Sequence, residues 1–397
     1  MPTERPKIYL SKVHIKGFKS IEDLTVDFQK DLNILIGKNG SGKSNFFEAV
    51  YRLLRERNLG FYSYAKVQFV SSDDHLFWLE LHKISQNINL KEEDGEDRVN
   101  IVERFSVDNK IVFDSIEATD HRDRFMFNNK LRSYGKGSTL RSIFVRFGYA
   151  AISPLYVKYA LPDFLQLQCL SVPGTFKIHI EDDFSMWEYP TTIGSLTRIL
   201  NNIEIVHDDS IKQIKAINKS NFYKRLEFGE ELLNNLKRYS NIQEIKFNNN
   251  LNVYHDDKSV IIENIKVDFK VNGNWLPWSQ LSDGTQRLFY IIAEITDSNG
   301  PIFIEEPELG VHPHQFNLLM DFLKEQSQKK QIIISSHSPK ALDHLSPDEL
   351  NDILIASYDK KEGTSIRHLT NKEINKAKKY MKEVGFFSDY WMLSDLE

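Results

Sequence analysis

The chain has 397 residues, a slightly negative charge balance (net −5) and one cysteine, Cys169. One cysteine cannot form a disulfide within the chain, and no apolar run approaches the length that spans a bilayer. We therefore expect a cytoplasmic protein with no secretory segment and no membrane partner, large enough for two or three structural units.

The first informative elements are a strand and a helix joined by a glycine-rich loop. Leu32–Ile36 is a continuous apolar run, typical of a buried parallel strand, and a helical pattern begins near Ser44. Glycines in the loop allow backbone N–H groups to converge on phosphate oxygens, and the helix start adds partial positive charge. The residues predicted to bind ATP in this cradle are Gly37, Asn39, Gly40, Ser41, Gly42, Lys43 and Ser44.

Two side chains of the cradle carry specific roles. Lys43 is expected to reach the outer phosphates and to act in catalysis, and the Ser44 hydroxyl is expected to bind Mg²⁺. The alternative is a loop that fits the pattern by chance, and the flanking strand and helix argue against it.

The middle of the chain, from about 60 to 275, shows no motif with recognisable chemistry. Strand-like alternation comes first, residues 196–240 favour helices, and strand patterns return over 261–269.

Between 122 and 147, basic residues are interleaved with aromatic ones. The basic residues are Arg122, Arg124, Lys130, Arg132, Lys136, Arg141 and Arg146. This basic–aromatic stretch could neutralise phosphates and stack on unpaired bases, which makes DNA a candidate partner. An ordinary basic loop whose aromatic side chains enter the core explains it equally well.

A pair of glutamates follows the next buried strand. Pro301–Ile304 is apolar, and Glu305 and Glu306 stand where the strand should end. Ligands of open α/β sheets lie beyond the carboxyl ends of the strands. We therefore expect Glu305 to hold Mg²⁺ and Glu306 to act as the general base for the attacking water. An exposed turn after a strand is the structural alternative.

His337 follows a third apolar strand, Gln331–Ile334. A lone histidine at such a place is often a structural hydrogen-bonding residue. Its position after the paired glutamates favours a catalytic role, in which a neutral imidazole senses the terminal phosphate or the attacking water.

The C-terminal region predicts a lysine-rich helix with Ile374, Ala377, Met381 and Val384 on its apolar face. The helix should end at Gly385, before the apolar tail 386–393. So many large apolar groups rarely stay in water. The tail is expected to dock on its own domain or to fill a groove on another protein.

At this point the chain resembles the ATP-binding-cassette-type (ABC-type) ATPases of the RecF, SMC and OLD (overcoming lysogenization defect) group, which act on DNA. The segments that carry the resemblance are Val13–Ile21, Leu281–Arg287, Glu305–Glu308, Val311–Pro313 and Ser336–Pro339. With the cradle, they are similar to the first strand, the signature sequence, the paired acids, the D-loop and the switch histidine of that group. The resemblance covers about a third of the chain.

The resemblance implies an α/β fold, an ABC-type P-loop ATPase head. This head has a mixed sheet with flanking helices, an antiparallel β subdomain and a largely helical insertion. It also implies that Ser282 and Gly284 bind the γ-phosphate of ATP held by the other subunit, so that ATP and Mg²⁺ are sandwiched in a homodimer or a higher oligomer. We expect an N-terminal lobe over 1–120, the insertion over 121–245, a C-terminal lobe over 246–350 and a strand, helix and apolar tail over 351–397.

The chain also departs from the wider pattern. Its metal-side acid is Glu305 where aspartate is common, and its signature has Asp283 where transporters usually have glycine. The magnesium-sensing glutamine has three candidates, Gln68, Gln166 and Gln168.

Three functions follow from these observations. The first resembles stand-alone OLD-like ATPases of Septu-type and retron-associated systems, in which an ATPase senses or holds DNA and controls a separately encoded nuclease or toxin in antiphage defence. No TOPRIM nuclease domain is expected in the chain. The second is a RecF-like ATPase of DNA repair or recombination. The third is a self-contained nuclease with an unrecognised site in the middle region.

Overall fold

The computed structural model describes residues 7–55, 62–84, 100–114, 155–157, 174–180, 185–188, 202–203, 211–223, 226–298, 300–394 and 396. The chain forms two compact units. The first comprises Met1–Tyr156, Asn299–Pro307 and Leu323–Glu397, and the second comprises Val157–Ser298 and Glu308–Phe322.

Strands β1 to β10 lie before residue 200. They are β1 (Ile8–Phe18), β2 (Ile21–Asp27), β3 (Leu32–Ile36), β4 (Tyr64–Ser71), β5 (Leu76–Ile84), β6 (Asn100–Val107), β7 (Lys110–Asp114), β8 (Leu155–Val157), β9 (Gly174–Ile180) and β10 (Ser185–Glu188). The later strands are β11 (Asn202–Ile203), β12 (Leu226–Glu227), β13 (Ile242–Phe247), β14 (Asn252–His255), β15 (Ser259–Ile265), β16 (Val267–Val271), β17 (Asn274–Pro277), β18 (Ile302–Glu305), β19 (Ile332–Ser336), β20 (Ile353–Asp359) and β21 (Gly363–His368).

Helices lie between and after these strands. The α-helices of the described residues are α1 (Lys43–Arg55), α2 (Ile211–Lys215), α3 (Lys219–Tyr223), α4 (Glu230–Tyr239), α5 (Asp283–Asp297), α6 (Pro313–Ser327), α7 (Asn371–Glu383) and α8 (Phe387–Leu393). Short 3-10 helices cover Trp278–Gln280, Pro339–His344 and Leu350–Asp352. Among the described residues, no helix combines the length and the apolar character that crossing a bilayer requires.

A mixed sheet forms the centre of the first unit. Its strand order is β21-β20-β3-β19-β18-β8, and β20, β3, β19 and β18 run parallel. Every residue of β3, β18 and β19 is buried. The predicted apolar strands before the cradle, the paired glutamates and His337 are therefore confirmed, because runs covered on both faces need no polar side.

A second, antiparallel sheet completes the first unit, with strand order β2-β1-β4-β5-β6-β7. The apolar face of α1 belongs to one hydrophobic core with residues of both sheets. Phe47 of α1 contacts Phe303 of β18 with ring centroids 5.5 Å apart, and Phe46 contacts Phe28 at 6.1 Å. This packing holds the start of α1 against the central sheet. The α/β fold with an antiparallel β subdomain is thus confirmed.

The second unit contains smaller sheets with the orders β10-β9-β15-β14, β13-β16-β17 and β11-β12. Its core includes mutual ring contacts of Phe269, Trp278 and Phe289, at centroid distances of 5.1 to 5.6 Å. The described part of 121–245 contains strands as well as helices. β9 pairs with β15, whose residues lie about eighty positions later in the chain, and local periodicity cannot predict such a pairing. The domain boundaries stay a prediction.

The C-terminal region folds back on the first unit. Thr370 and Glu373 form a capping box at the start of α7, and Ile374 and Ala377 are buried, as predicted for the apolar face. The tail forms α8, which buries Phe387 and Trp391. Val384, also predicted on the apolar face of α7, is 68% exposed, because it lies past the last residue of the helix. In the tail, Phe386, Met392 and Leu393 remain more than 60% exposed, so the tail docks on its own domain only in part.

Candidate functional site

The predicted cradle, acids and histidine start from one edge of the central sheet. In the parallel register, Glu305 lies beside Ser335, and Ser336 lies beside Ile36. The carboxyl ends of β18, β19 and β3 are therefore level. The residues that follow these strands meet at this edge, where ligands of open α/β sheets bind.

The glycines of the cradle are required by conformation and by close packing. Gly40 and Gly42 have φ angles of 81° and 92°, which most side chains avoid. A Cβ atom on Gly42 would lie 2.0 Å from the Thr364 hydroxyl, and one on Gly37 would lie 2.2 Å from the carbonyl oxygen of Ala356. Ala356 of β20 and Thr364 of β21 therefore pack directly against the loop and restrict its shape.

A small polar network also supports the start of α1. The amide of Asn45 donates to the Ser20 hydroxyl at 2.7 Å, and that hydroxyl lies 2.8 Å from the hydroxyl of Thr364. The backbone N–H of Thr364 donates to the Ser20 carbonyl at 2.7 Å. Ser20, Asn45 and Thr364 thus tie the β1–β2 turn, α1 and β21 together around the cradle.

Lys43 is buried inside its own loop. Its ammonium group donates to the carbonyl oxygens of Gly37 at 2.6 Å and Lys38 at 3.0 Å. It also lies 3.1 Å from Nδ1 of His337. The positive charge is thereby held at the loop and at the carboxyl end of β19.

The cradle fits a phosphate group. The hydroxyl of Ser41 is buried and has no hydrogen-bond partner within the described part of the chain, although a buried hydroxyl normally has one. It lies in the loop immediately before α1, the same loop that holds the Lys43 ammonium through the carbonyl oxygens of Gly37 and Lys38. The hydroxyl, the charge and the helix start together are complementary to an anion. Asn39, Gly40 and Ser44 are exposed at the same loop and helix start, where solvent and ligand can reach them.

The Glu306 carboxylate contacts Nε2 of the His337 imidazole. An ammonium group can only donate, so Nδ1 of His337 accepts from Lys43 and its Nε2–H donates to Glu306. The three predicted catalytic residues therefore form one chain, in the order Lys43, His337, Glu306. The backbone N–H of Glu306 donates to the Ser335 carbonyl at 2.8 Å, which fixes the backbone of Glu306 at the strand end.

Glu305 is 7% exposed and accepts a 2.6 Å hydrogen bond from the hydroxyl of Tyr156 in β8. Burial, together with the neighbouring Glu305 carboxylate, raises the pKa of Tyr156, so the phenol keeps its proton. Sequence reasoning missed Tyr156. It belongs to a strand of three residues, and no motif surrounds it.

The predicted signature residues Ser282 and Gly284 lie in the second unit, at the start of α5. Ser282 is exposed, and its hydroxyl accepts from the backbone N–H of Thr285 at 3.3 Å as the N-cap. A Cβ atom on Gly284 would lie 2.8 Å from the Gly310 carbonyl, so only glycine allows this close approach. Gly310 and Val311, at the start of the predicted D-loop segment Val311–Pro313, therefore pack on the signature within this unit.

The remaining predicted residues fall in two groups. Gln68 lies in β4, paired with Lys12 and Trp78 in the antiparallel sheet. The described contacts do not place it at the cradle. Gln166, Gln168 and the basic–aromatic stretch between 122 and 147 lie outside the described residues, so the magnesium-sensing glutamine and the DNA contact stay predictions.

Two family models match the chain. One, described as "AAA ATPase domain", matches residues 9–266. The other, described as "AAA domain, putative AbiEii toxin, Type IV TA system", matches residues 194–343, which include the signature and the paired glutamates.

Curated relatives match over short segments. The DNA replication and repair protein RecF of Ligilactobacillus salivarius is 43% identical over 51 residues, 13% of this chain and 14% of that protein. The chromosome partition protein Smc of Fusobacterium nucleatum is 39% identical over 71 residues, 18% of this chain and 6% of that protein. The matched segments thus span 14% of the length of RecF and 6% of the length of Smc.

Solved structures match over most of the chain at low identity. The SMC head domain from Thermotoga maritima has a TM-score of 0.44 at 14% identity, with 91% of this chain and 99% of that chain covered. An SmcHead bound to the C-winged helix domain of ScpA has a TM-score of 0.49 at 12% identity, with 93% and 99% covered. The family assignment rests on the first model, which spans well over half of the 397 residues and includes the whole cradle. The chain belongs to the AAA ATPase domain family.

Proposed function

We propose that the protein is an ATP-hydrolysing switch that closes as a homodimer around ATP, senses or holds DNA, and controls a separately encoded effector. The observation that carries the hydrolytic part is the chain of Lys43, His337 and Glu306 at the level ends of three parallel strands. It combines a phosphate-binding cation with a carboxylate that can accept a proton.

In this proposal each residue has one task. The cradle residues and Lys43 bind the phosphates of ATP, and Glu306 accepts the proton of the attacking water. His337, hydrogen-bonded to Glu306, holds that carboxylate in place. Ser44 and Glu305 are the residues that would hold Mg²⁺. When bound, this ion neutralises charge on the phosphate oxygens.

The signature supports the dimeric part of the proposal. Ser282 is exposed at the start of α5 in the second unit, with Gly284 buried two residues further on, and the cradle with its catalytic residues belongs to the first unit. A helix start of this kind suits an anion. We propose that it contacts the γ-phosphate held by the cradle of a partner copy.

The relatives support a role with DNA. RecF is named for DNA replication and repair, and Smc for chromosome partition. The description of the second matched family model names an AbiEii toxin and a type IV TA system. This description supports control of a toxin or nuclease in antiphage defence. The resemblance to stand-alone OLD-like ATPases favours the same setting.

A RecF-like ATPase of DNA repair or recombination is the second candidate, and the 43% identity of the matched RecF segment favours it. Purification from the native operon separates the two. A stoichiometric nuclease or toxin that leaves on ATP hydrolysis supports effector control, and a DNA-loading activity without such a partner supports the repair role. A self-contained nuclease would cleave DNA by itself in a Mg²⁺ or Mn²⁺ assay.

The hydrolytic mechanism is tested by Glu306→Gln. An amide cannot accept the proton of the attacking water, so we expect the rate of ATP turnover to fall by about 10²- to 10⁴-fold while ATP still binds. Because hydrolysis no longer opens the sandwich, dimers should accumulate with ATP. Steady-state ATPase assays and light scattering with and without ATP measure both effects.

Glu383→Gln is the matched control, since this exposed glutamate lies at the end of α7, outside the proposed site. It should hydrolyse ATP at the wild-type rate. Turnover by Glu306→Gln at the wild-type rate would show that Glu306 is not the general base.

A further inference from the structure

We propose that Tyr156 is a positioning residue for the metal-side carboxylate of Glu305. This inference rests on the proposed ATPase function and adds a residue to its site. It assigns to β8 the task of orienting the group that would hold Mg²⁺.

The geometry is direct. The Tyr156 hydroxyl donates to Oε1 of Glu305 at 2.6 Å, at the short end of the range for such bonds. Glu305 is the last residue of β18, and β8 is the neighbouring strand in the central sheet. The backbone N–H of Leu155 donates to the Pro301 carbonyl at 3.1 Å, which anchors β8 beside the segment that leads into β18.

The phenol ring is itself held in place by α1. Its centroid lies 5.1 Å from that of Tyr51 and 6.4 Å from that of Phe47, in an edge-on contact with Phe47. Phe47 belongs to the core of the first unit. The orientation of the Glu305 carboxylate thus depends on the helix that begins at the cradle.

A hydrogen bond at this place has a physical purpose. A nearly buried carboxylate loses the water that would otherwise solvate it, and a donor offsets part of that loss. The bond to Oε1 also limits rotation of the carboxylate about its last side-chain bond. Groups that hydrogen-bond to metal ligands typically change metal affinity by about 10- to 100-fold when they are removed.

The experiment compares Tyr156→Phe with Tyr62→Phe. Tyr62 is a matched control, because it is buried in the same unit and donates a 2.6 Å hydrogen bond, but to the backbone carbonyl of Ala49. Each variant loses one hydroxyl and keeps its ring. The change in thermal unfolding shows how much stability each lost bond costs.

Two readouts report on the metal. The first is the Mg²⁺ concentration that gives half-maximal ATP turnover. The second is the affinity for Mn²⁺ in the presence of a non-hydrolysable ATP analogue, measured by electron paramagnetic resonance, which needs no turnover. For Tyr156→Phe we expect both to weaken by about tenfold, with the ATP affinity in the absence of metal unchanged. For Tyr62→Phe we expect no change in either.

A double-mutant cycle completes the test. In a Glu305→Gln background, Tyr156→Phe should have no further effect on Mn²⁺ affinity, because the group that it positions has been replaced. Wild-type Mn²⁺ affinity in Tyr156→Phe, or an equal loss in Tyr62→Phe, would overturn the inference and leave the ATPase proposal intact. If the wild-type protein neither binds Mn²⁺ with the analogue nor hydrolyses ATP, the proposed function itself is wrong.

Discussion

Glu306 adopts a left-handed backbone conformation, with a φ of 46°. A residue with a side chain pays about 1 kcal/mol or more for this conformation, so other contacts must hold it. Its N–H bond to the Ser335 carbonyl and its contact with His337 do so. The chain turns sharply at the end of β18, and this turn places the Glu306 carboxylate beside the imidazole.

The sequence predicts the charged and hydroxyl side chains of the site, because the chemistry of phosphate binding restricts which residue types can serve. It does not predict the left-handed turn at Glu306 or the contact of Tyr156 with Glu305. The two partners of that contact are 149 residues apart, and a single tyrosine in a three-residue strand has no periodicity to mark it.

Asp352 gives a pH dependence of stability. Burial, with the nearby Glu349 and Asp31 carboxylates, raises its pKa from 3.8 to about 7. A raised carboxyl pKa stabilises the folded state fully below pH 4, and this stabilisation is lost as the pH rises through about 7.

We therefore predict that Asp352→Asn is more stable than the wild type at pH 8. The gain should be about 1 to 2 kcal/mol, less than the full shift implies because the side chain is partly exposed. The gain should shrink at pH 6. Urea unfolding at the two pH values measures it, with the 94% exposed Asp348, as Asp348→Asn, for control. An equal effect at both pH values would contradict the assignment.

At the scale of elements, predictability follows the range of the interactions. β3, β18 and β19 are predictable because each is a short apolar run followed by polar residues, a signal contained within the strand itself. The edge strand β8 and the pairing of β9 with β15 are not, because their partners lie far along the chain. The apolar tail is an intermediate case, since its composition predicts burial without naming the surface.

The surface that receives the tail is the 3-10 helix Pro339–His344. The Asp343 carboxylate accepts from the backbone N–H and from the hydroxyl of Ser388, both at 2.9 Å. Asp343 also pairs with Lys340, whose ammonium group donates to the Ser388 hydroxyl at 3.0 Å. Three polar groups thus fasten the start of α8.

We predict that Asp343→Ala loosens α8, because it leaves the buried Ser388 without its acceptors, at a cost of about 1 to 3 kcal/mol. Hydrogen exchange of residues 386–393 should become faster, and limited proteolysis should cut there first. Asp348→Ala is the control, since its partner Lys378 bonds it at an exposed surface. Unchanged exchange in Asp343→Ala would show that apolar packing alone holds the tail.

At the scale of the whole molecule, the dimer proposal makes a quantitative prediction about mixtures. Lys43→Ala should lose ATP binding in its cradle, and Ser282→Arg should block the signature while its own cradle still binds ATP. Neither variant alone should turn over ATP. In a mixed dimer, the cradle of the Ser282→Arg copy meets the intact signature of the Lys43→Ala copy, so one of the two sites is complete.

An equal mixture of the two variants should therefore recover about a quarter of the wild-type turnover, because about half of the dimers are mixed and each has one working site. Mixing the Lys43→Ala protein with Glu306→Gln is the control. Both substitutions lie in the cradle unit, so no complete site can form. If the mixture of Lys43→Ala and Ser282→Arg is as inactive as this control, then either each chain completes its own site or the dimer does not close around ATP.

The attachment of α8 has a practical consequence. α8 packs on the 3-10 helix Pro339–His344, which begins two residues after His337. A change that displaces α8 therefore acts close to the imidazole that contacts Glu306. An affinity tag or fluorescent protein joined after residue 397 is one way to disturb α8. A fusion joined before β1 does not involve α8. Comparing the rate of ATP turnover between the two fusions would show whether disturbing α8 lowers it.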